Sequence, residues 1–177
     1  MKQNNSQYDK NILEFLTVAV QFCTMLENIT DEPRKDFLDK ITKILPLMYV
    51  KAELLPDYEQ SDFLMTEEFV DEENYNIIRN NVAFIMRQHD DFLDVFVEDM
   101  RYSDKPILST ISENLADIYQ DVKNFVMNFK VAAQDDIIDE AVAKCKDDFK
   151  IYWGQKLVNV MRPLHEVKYG LNNQEED

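Results

Sequence analysis

The chain has 177 residues, and its 35 Asp and Glu against 19 Lys and Arg give a formal net charge of −16, which repels phosphate backbones and anionic lipid headgroups. Direct binding of nucleic acid or of a membrane surface is therefore not expected. With 45% hydrophobic residues but only 2 Gly and 5 Pro, the composition fits one globular domain and lacks the turn residues that an all-β fold needs.

Apolar residues at three- and four-residue spacing predict helices through most of the first half of the chain. The first predicted helix covers about residues 8–28, and the second covers about 33–55. Pro46 lies inside the second helix and has no amide hydrogen to donate, so we expect a kink or a break there. A third helix is predicted over about 71–89, where His89 continues the apolar stripe as a histidine at the edge of the core.

In the second half, residues 90–106 are too short for a long helix and predict a turn or short helix followed by a loop. Thr110 and Glu113 have the spacing of a helix capping box, and the clearest helical periodicity in the chain follows them. A last helix is expected over about 135–165. The elements together predict an all-α fold.

We expect a single-domain helical bundle of about five long helices plus one or two short ones over residues 1–177, with flexible tails at 1–7 and 171–177. The N-terminal residues lack the apolar run of a signal peptide, and the longest apolar stretch is too short and too polar to span a bilayer. A cytoplasmic location is therefore expected. Cys23 and Cys145 each fall on an apolar helical stripe, where a free buried thiol would lie.

Neither a catalytic site nor a metal site is complete in the sequence. His89 and Asp90 are similar to the metal-binding pair of helical phosphohydrolases, but the only other histidine is His165. The remaining candidate for a metal site is a set of carboxylates, because hard cations prefer carboxylate oxygens. Its members are Glu113, Asp117, Asp121 and Asp136. Such alignments arise by chance in a chain with 35 acidic residues, so we expect no metal and no other cofactor.

The stretch FKIYWGQKLVNVMRPLH (149–165) separates into three rows when it is placed on one helix. Two adjacent rows are predicted to pack in the core. The first row consists of Trp153, Leu157, Val160 and Leu164. The second row consists of Gly154, Val158, Met161 and His165. The third row is polar and consists of Gln155, Asn159, Arg162 and Glu166. Gly154 would allow a neighbouring helix to approach closely.

The polar row is the candidate binding site. Pro163 cannot donate to the carbonyl of Asn159, so the helix should kink or end nearby and leave that carbonyl open to a partner. The candidate binding residues for a small anion or a peptide carboxylate are Tyr152, Gln155, Asn159 and Arg162. Under the structural alternative, Lys150, Lys156 and Arg162 neutralise acidic neighbours in the bundle.

Four stretches together carry a family resemblance: LPLMYVKAELLP (45–56), HDDFLDVFVEDMRYSD (89–104), ISENLADIYQDVKNF (111–125) and YWGQKLVNVMRPLH (152–165). In this order they resemble a bacterial family, the domain-of-unknown-function family numbered 5063. The likeness runs from about residue 8 to residue 165. It implies a compact all-helical cytoplasmic protein, and it implies no activity, cofactor or catalytic residue.

The combined expectation is a non-enzymatic acidic helical protein that binds another protein. The binding surface would be the acidic region 57–104 or the polar row. The alternatives are a metal-dependent phosphohydrolase that uses the clustered carboxylates and a small-anion-binding protein. The sequence leaves the identity of the partner and the oligomeric state open.

Overall fold

The computed structural model describes residues 9–29, 32–61, 66–94 and 107–170, and over these ranges the fold consists of α-helices and one small antiparallel sheet. The elements in chain order are α1 (Lys10–Glu27), α2 (Arg34–Glu53), α3 (Glu72–Met86), β1 (Asp91–Asp94), β2 (Ile107–Thr110), α4 (Ile111–Val131), α5 (Asp135–Asp148) and α6 (Gly154–Tyr169). A 3₁₀ turn (Arg87–His89) follows α3, and a π-helical turn (Phe149–Trp153) joins α5 to α6. The predicted tails 1–7 and 171–177 lie outside the described residues.

Helices α5 and α6 form one long helix, because the π-helical turn joins them without a loop. When this helix is counted once, the described part of the chain holds five long helices, which confirms the predicted all-α bundle. Helix α4 is central and packs against α1, α3, α5 and α6. Helix α2 packs against α1 and α6 and closes the bundle on that side.

Side chains cap the starts of three helices. The carboxylate of Asp9 accepts a hydrogen bond from the amide of Asn11 at 2.8 Å, and that of Asp71 accepts one from the amide of Asn74 at 2.8 Å. Thr110 accepts a hydrogen bond from the amide of Glu113 at 3.1 Å, as the capping-box spacing predicts. Each cap satisfies an amide that has no partner inside its own helix.

Neither internal proline interrupts its helix, so of the expected kink or break at Pro46 and kink or end near Pro163, the break and the end do not occur. Pro46 is exposed, so water can replace the donor that the carbonyl of Thr42 loses. Pro163 is buried, but it lines a cleft together with Asn159, whose carbonyl loses its donor there. Both helices therefore continue through their prolines.

Helix α3 ends three residues earlier than predicted, and His89 does not continue its apolar stripe. Arg87 has a φ of 51°, a left-handed value that residues other than glycine rarely adopt, and the chain turns there. Three residues later, Asp90 is buried and binds the start of α4. Its carboxylate accepts hydrogen bonds from the amide and the hydroxyl of Ser112, at 2.8 and 2.6 Å. Asp90 is therefore a structural residue.

The sheet is the element that the sequence did not predict. Residues 91–94 were expected to form a turn, a short helix or a loop, but they pair with β2 in antiparallel register, Asp91 opposite Thr110 and Asp94 opposite Ile107. The amide of Ile111 donates to the carbonyl of Asp90 at 2.8 Å and extends the ladder by one pair. Residues 95–106, also part of that prediction, lie outside the described residues.

Aromatic rings from several helices fill the centre of the core. Trp153 is fully buried and donates its indole hydrogen to the carbonyl of Cys145 at 3.1 Å. The rings of Phe15 and Phe149 lie 6.2 and 4.7 Å from the ring of Trp153. Cys23 and Cys145 are free and buried, as predicted, and burial raises the pKa of both thiols. In the described ranges, no helix is both long and apolar enough to pass through a bilayer.

Two asparagines fix the connection that precedes α3. Asn124 accepts hydrogen bonds from the amides of Phe69 and Val70, at 2.7 and 3.1 Å. Asn128 accepts one from the amide of Glu67 at 2.9 Å and donates one to its carbonyl at 2.8 Å. The extended connection is thereby held on α4 by side chains instead of by a neighbouring strand.

Candidate binding cleft

A cleft of about 1280 Å³ lies where α2, β1 and α6 meet. Its described lining residues are Tyr49 and Glu53 from α2, Gln88, His89, Asp91, Phe92 and Leu93 from the turn and strand after α3, and Phe149, Lys150, Gly154, Gln155, Val158, Asn159, Arg162, Pro163, Glu166, Val167 and Gly170 from the π-helical turn, α6 and its end. The cleft therefore brings together three parts of the chain that are far apart in sequence.

The inner wall of the cleft is apolar. The rings of Tyr49 and Phe149 meet edge to face, with their centroids 5.1 Å apart. Phe92 from β1 is half-buried and packs against the core, and Pro163 is buried. Val158 is 57% exposed and presents an apolar surface to the opening. A ligand in the cleft would thus meet apolar surface with polar groups around it, as in most binding sites.

Three of the four sequence-predicted binding residues line the cleft. Asn159 donates a hydrogen bond from its side chain to the carboxylate of Asp94 at 2.8 Å. Gln155 donates to the carbonyl of Ile151 at 3.3 Å and is exposed. Arg162 is exposed and forms no ion pair with any residue in the described ranges. Its guanidinium is therefore available to a ligand.

Tyr152, the fourth predicted residue, lies on another face of the molecule. The ammonium of Lys156 lies 5.5 Å from the centroid of its ring, and the carboxylate of Asp117 pairs with the same ammonium at 3.0 Å. Burial, followed by the charge of Asp117, raises the pKa of Tyr152 to about 12. The reason for the separation is the π-helical turn, whose wider turn changes the angular phase of residues 149–153 relative to α6.

Gly154 has a different role from the predicted one. Its amide donates to the carbonyl of Phe149, five residues earlier, which is the hydrogen bond that defines a π-helical turn. A Cβ at this position would lie 2.8 Å from two carbons of the Phe149 ring. Gly154 thus allows the close approach of Phe149, which belongs to the same long helix. This contact sets the position of the Phe149 ring in the wall of the cleft.

One of the two predicted apolar rows is buried as expected, and it consists of Trp153, Leu157, Val160 and Leu164. In the second row, only Gly154 is buried. His165 is exposed and packs its ring against Tyr169 at 4.7 Å, and Met161 is only half-buried. Val158 faces the cleft. The prediction fails because this side of α6 faces the cleft at Val158 and is exposed at His165, where a second neighbouring helix was expected.

The lysines near the polar row neutralise acidic neighbours, as the structural alternative predicted. Lys150 pairs with Asp147 at 3.1 Å and with Asp57 at 3.6 Å. Lys156 pairs with Asp117 at 3.0 Å. The alternative does not hold for Arg162 among the described residues.

The carboxylates of the metal alternative are not gathered into a site. In the described ranges, no three His, Cys, Asp or Glu side chains are placed so that they could hold a metal ion. Asp117 pairs with Lys156 and accepts a hydrogen bond from the hydroxyl of Tyr75 at 2.8 Å. Glu113 and Asp136 are exposed.

Asp121 differs from the other three carboxylates because it is partly buried beside a pocket of about 150 Å³. Burial is the main cause that raises the pKa of its carboxyl to about 7, and the nearby charge of Asp148 adds to it. Lys144 lies close enough to oppose the shift but pairs with Asp148 at 2.8 Å.

Sequence reasoning did not identify the contributions of α2 and β1 to the cleft. Tyr49 and Glu53 follow the periodicity of an ordinary helix, and nothing local marks them as part of a site. In β1, the exposed residues Asp91 and Leu93 alternate with half-buried ones. This alternation spans four residues, which is too short to distinguish a strand from a loop.

Comparisons with known proteins agree with the fold and give no activity. A family model described as "Domain of unknown function (DUF5063)" matches residues 6–170. The crystal structure of protein BF1032 from Bacteroides fragilis, a structural genomics target, is similar to this chain with a TM-score of 0.82 and 42% sequence identity, over 92% of this chain and 95% of that one. No curated protein matches the chain significantly.

Proposed function

The chain belongs to the family of domains of unknown function numbered 5063, and we propose that it is a non-enzymatic protein that binds a segment of another protein in the cleft. One observation supports this most. The acidic region 57–104 and the polar row on α6 are far apart in sequence, yet residues of both line the same cleft, including Asp91 and Arg162. We place this binding in the cytoplasm, as the composition and the family resemblance imply.

The form of the cleft favours a protein segment over a small metabolite. Small-molecule pockets commonly measure about 300–1,000 Å³ and enclose most of their ligand. This cleft is larger, at about 1280 Å³, and borders exposed apolar surface at Val158 and Leu93. An apolar centre with a polar rim is the usual composition of a surface that binds another protein.

The charges around the cleft favour a partner with basic residues. Glu53, Asp91 and Glu166 form no ion pair with other residues in the described ranges. The net charge of −16 attracts a basic partner over a longer distance. Arg162 adds one cationic group, which can take a carboxylate or a carbonyl of the bound segment.

Capture of partners with a variant that blocks the cleft tests the proposal. Val158→Arg places a long charged side chain on the apolar wall, and Val158 is exposed enough to be replaced without loss of the fold. Val131→Arg is the matched control, because Val131 is also a helical valine, is 54% exposed and does not line the cleft. From a lysate of Bacteroides fragilis, the source of the similar crystal structure, we expect the wild type and V131R to capture the same proteins and V158R to lose them by about tenfold or more.

If V158R captured the same proteins as the wild type, the cleft would not be the binding site. Circular dichroism of both variants would establish that they are folded, so a loss of capture could not be assigned to unfolding.

The small-anion alternative is favoured by the absence of an ion pair at Arg162 in the described ranges. It predicts thermal stabilisation by phosphate or by a dicarboxylate, and Arg162→Ala should abolish this stabilisation.

The phosphohydrolase alternative would use Glu113, Asp117, Asp121 and Asp136, which the structure leaves apart. It predicts heat on calorimetric titration with Mg²⁺ or Mn²⁺, and hydrolysis of nucleotides.

A further inference from the structure

The register of the sheet shows which backbone groups point away from it. Asp90 stands opposite Ile111, and the amide of Ile111 donates to the carbonyl of Asp90 at 2.8 Å, so these residues form a hydrogen-bonded pair. Hydrogen-bonded and non-hydrogen-bonded pairs alternate along an antiparallel ladder. Phe92 therefore directs its backbone groups at β2, and Asp91 and Leu93 direct theirs at the opposite edge.

That opposite edge borders the cleft. Asp91, Phe92 and Leu93 all line the cleft, whereas the described lining contains no residue of β2. Within the ranges that the structure describes, the backbone amides and carbonyls of Asp91 and Leu93 have no hydrogen-bond partner, and no third strand covers them. An edge of this kind is a template for an added strand.

The charges around the cleft favour a basic partner segment, and not a second copy of the chain, as the occupant of this edge. A second copy of the chain would place one net charge of −16 against another and would bring two copies of Asp91 together. A partner segment with Lys or Arg would instead face Glu53, Asp91 and Glu166, none of which is paired with a described residue. An extended segment also points alternate side chains to opposite sides, so apolar residues can face Val158 while basic residues face the rim.

We propose that an extended, basic and apolar segment of a partner protein adds to the free edge of β1 as a third strand. This inference rests on the proposed function and specifies how the bound segment is held. The backbone groups of Asp91 and Leu93 bind the segment's main chain, and the rim carboxylates bind its basic side chains.

Proline substitutions at paired positions of the two strands test the added strand. Leu93→Pro removes an amide hydrogen that points into the cleft and leaves the hydrogen bonds to β2 in place. Leu108→Pro is the matched control, because Leu108 stands opposite Leu93 and directs its amide to the other edge of the sheet. The two side chains are similarly exposed, Leu108 at 64% and Leu93 at 60%. Leu93→Ala separates loss of the side chain from loss of the amide.

The probe is a display library of random linear peptides, selected on the wild-type chain and counter-selected on V158R. We expect the selected peptides to combine basic residues with alternating apolar ones. L93P should weaken the binding of these peptides about tenfold relative to L93A, equivalent to about 1.4 kcal/mol, whereas L108P should change the affinity less than about threefold relative to the wild type. N-methylation along the strongest peptide should reduce its binding at every second residue only, because alternate amides face the edge.

The outcomes separate this inference from the proposed function. If V158R fails to bind the selected peptides but L93P binds them with unchanged affinity, the proposal of an added strand is overturned. The cleft would still be the binding site. A library that yields no peptide sensitive to V158R would overturn both. A third outcome would be that no peptide is selected and that light scattering shows a dimer of the wild type, which L93P abolishes. The occupant of the edge would then be a second copy of the chain, and the proposal would be contradicted.

Discussion

Asp121 is a carboxylate that the fold holds at an unfavourable position. One of its oxygens is buried and has no hydrogen-bond partner among the described residues. It faces Lys144 and Asp148 on α5, Asp117 on its own helix and Glu68 on the connection before α3. Burial is the main reason why the pKa of this carboxyl rises to about 7, and three like charges against one opposite charge add to the shift.

The raised pKa predicts how stability depends on pH at this site. Because the folded state holds the proton up to a pH of about 7 and the unfolded chain releases it at the ordinary value near 4, the free energy of unfolding should fall between these values as the pH rises. Asp121→Asn removes this fall. At pH 8 the variant should be more stable than the wild type by about 1–2 kcal/mol, after allowance for partial solvation, and at pH 4 about equal to it. Urea unfolding at both pH values measures the difference, and an equal difference at both would contradict the assignment.

The polar row illustrates which side chains of a site can be predicted from sequence. Gln155, Asn159 and Arg162 share a helical face, and local periodicity is enough to group them. Tyr152 fits the same face only if the helix is regular, and the π-helical turn makes it irregular. Asp91 reaches the cleft through strand pairing, which depends on residues that are distant in sequence. Local pattern thus predicts one wall of the cleft but not the wall opposite.

The π-helical turn joins two helices, and Gly154 makes it possible. Gly154→Ala places a Cβ against the ring and the carbonyl of Phe149, which belongs to the buried core. The higher helix propensity of Ala, about 1 kcal/mol, opposes this effect. We expect a net loss of about 1–3 kcal/mol in the free energy of unfolding, since an overpacked core must shift.

Urea denaturation measures the effect of Gly154→Ala. Ile151→Ala is the control in the same turn, because Ile151 is 71% exposed, and it should change stability by less than about 0.5 kcal/mol. A stabilised G154A would show that the turn relaxes to a regular α-helix without loss.

The helices were predictable to within a few residues, but the sheet was not. A long amphipathic helix repeats its apolar signal many times, as α4 does over Ile111–Val131. The strands are four residues each, and the partner of Asp91 lies nineteen positions later at Thr110. Pro46 and Pro163 were overestimated as helix breakers because their effect depends on whether the freed carbonyl is buried, which the sequence does not specify.

The net charge of −16 acts on the entire chain. Self-repulsion of this charge destabilises the compact state, while the ion pairs at the surface contribute little. Raising the salt concentration to about 0.5 M shortens the screening distance to a few ångströms and should raise the melting temperature. The same rise in salt concentration should lower the affinity of the cleft for any basic peptide. Differential scanning calorimetry along a NaCl series measures the first effect, and a fall in melting temperature would show that the ion pairs dominate.

The π-helical turn between Asp148 and Gly154 also bears on how relatives of this chain can be compared. A deletion of one residue there would turn every later position of α6 by about 100°, because each residue of an α-helix adds that rotation. Gln155, Asn159 and Arg162 would then face a different neighbour although their own sequence was unchanged. In a relative, the length of the segment before the polar row is therefore as informative about the cleft as the identity of the residues in the row.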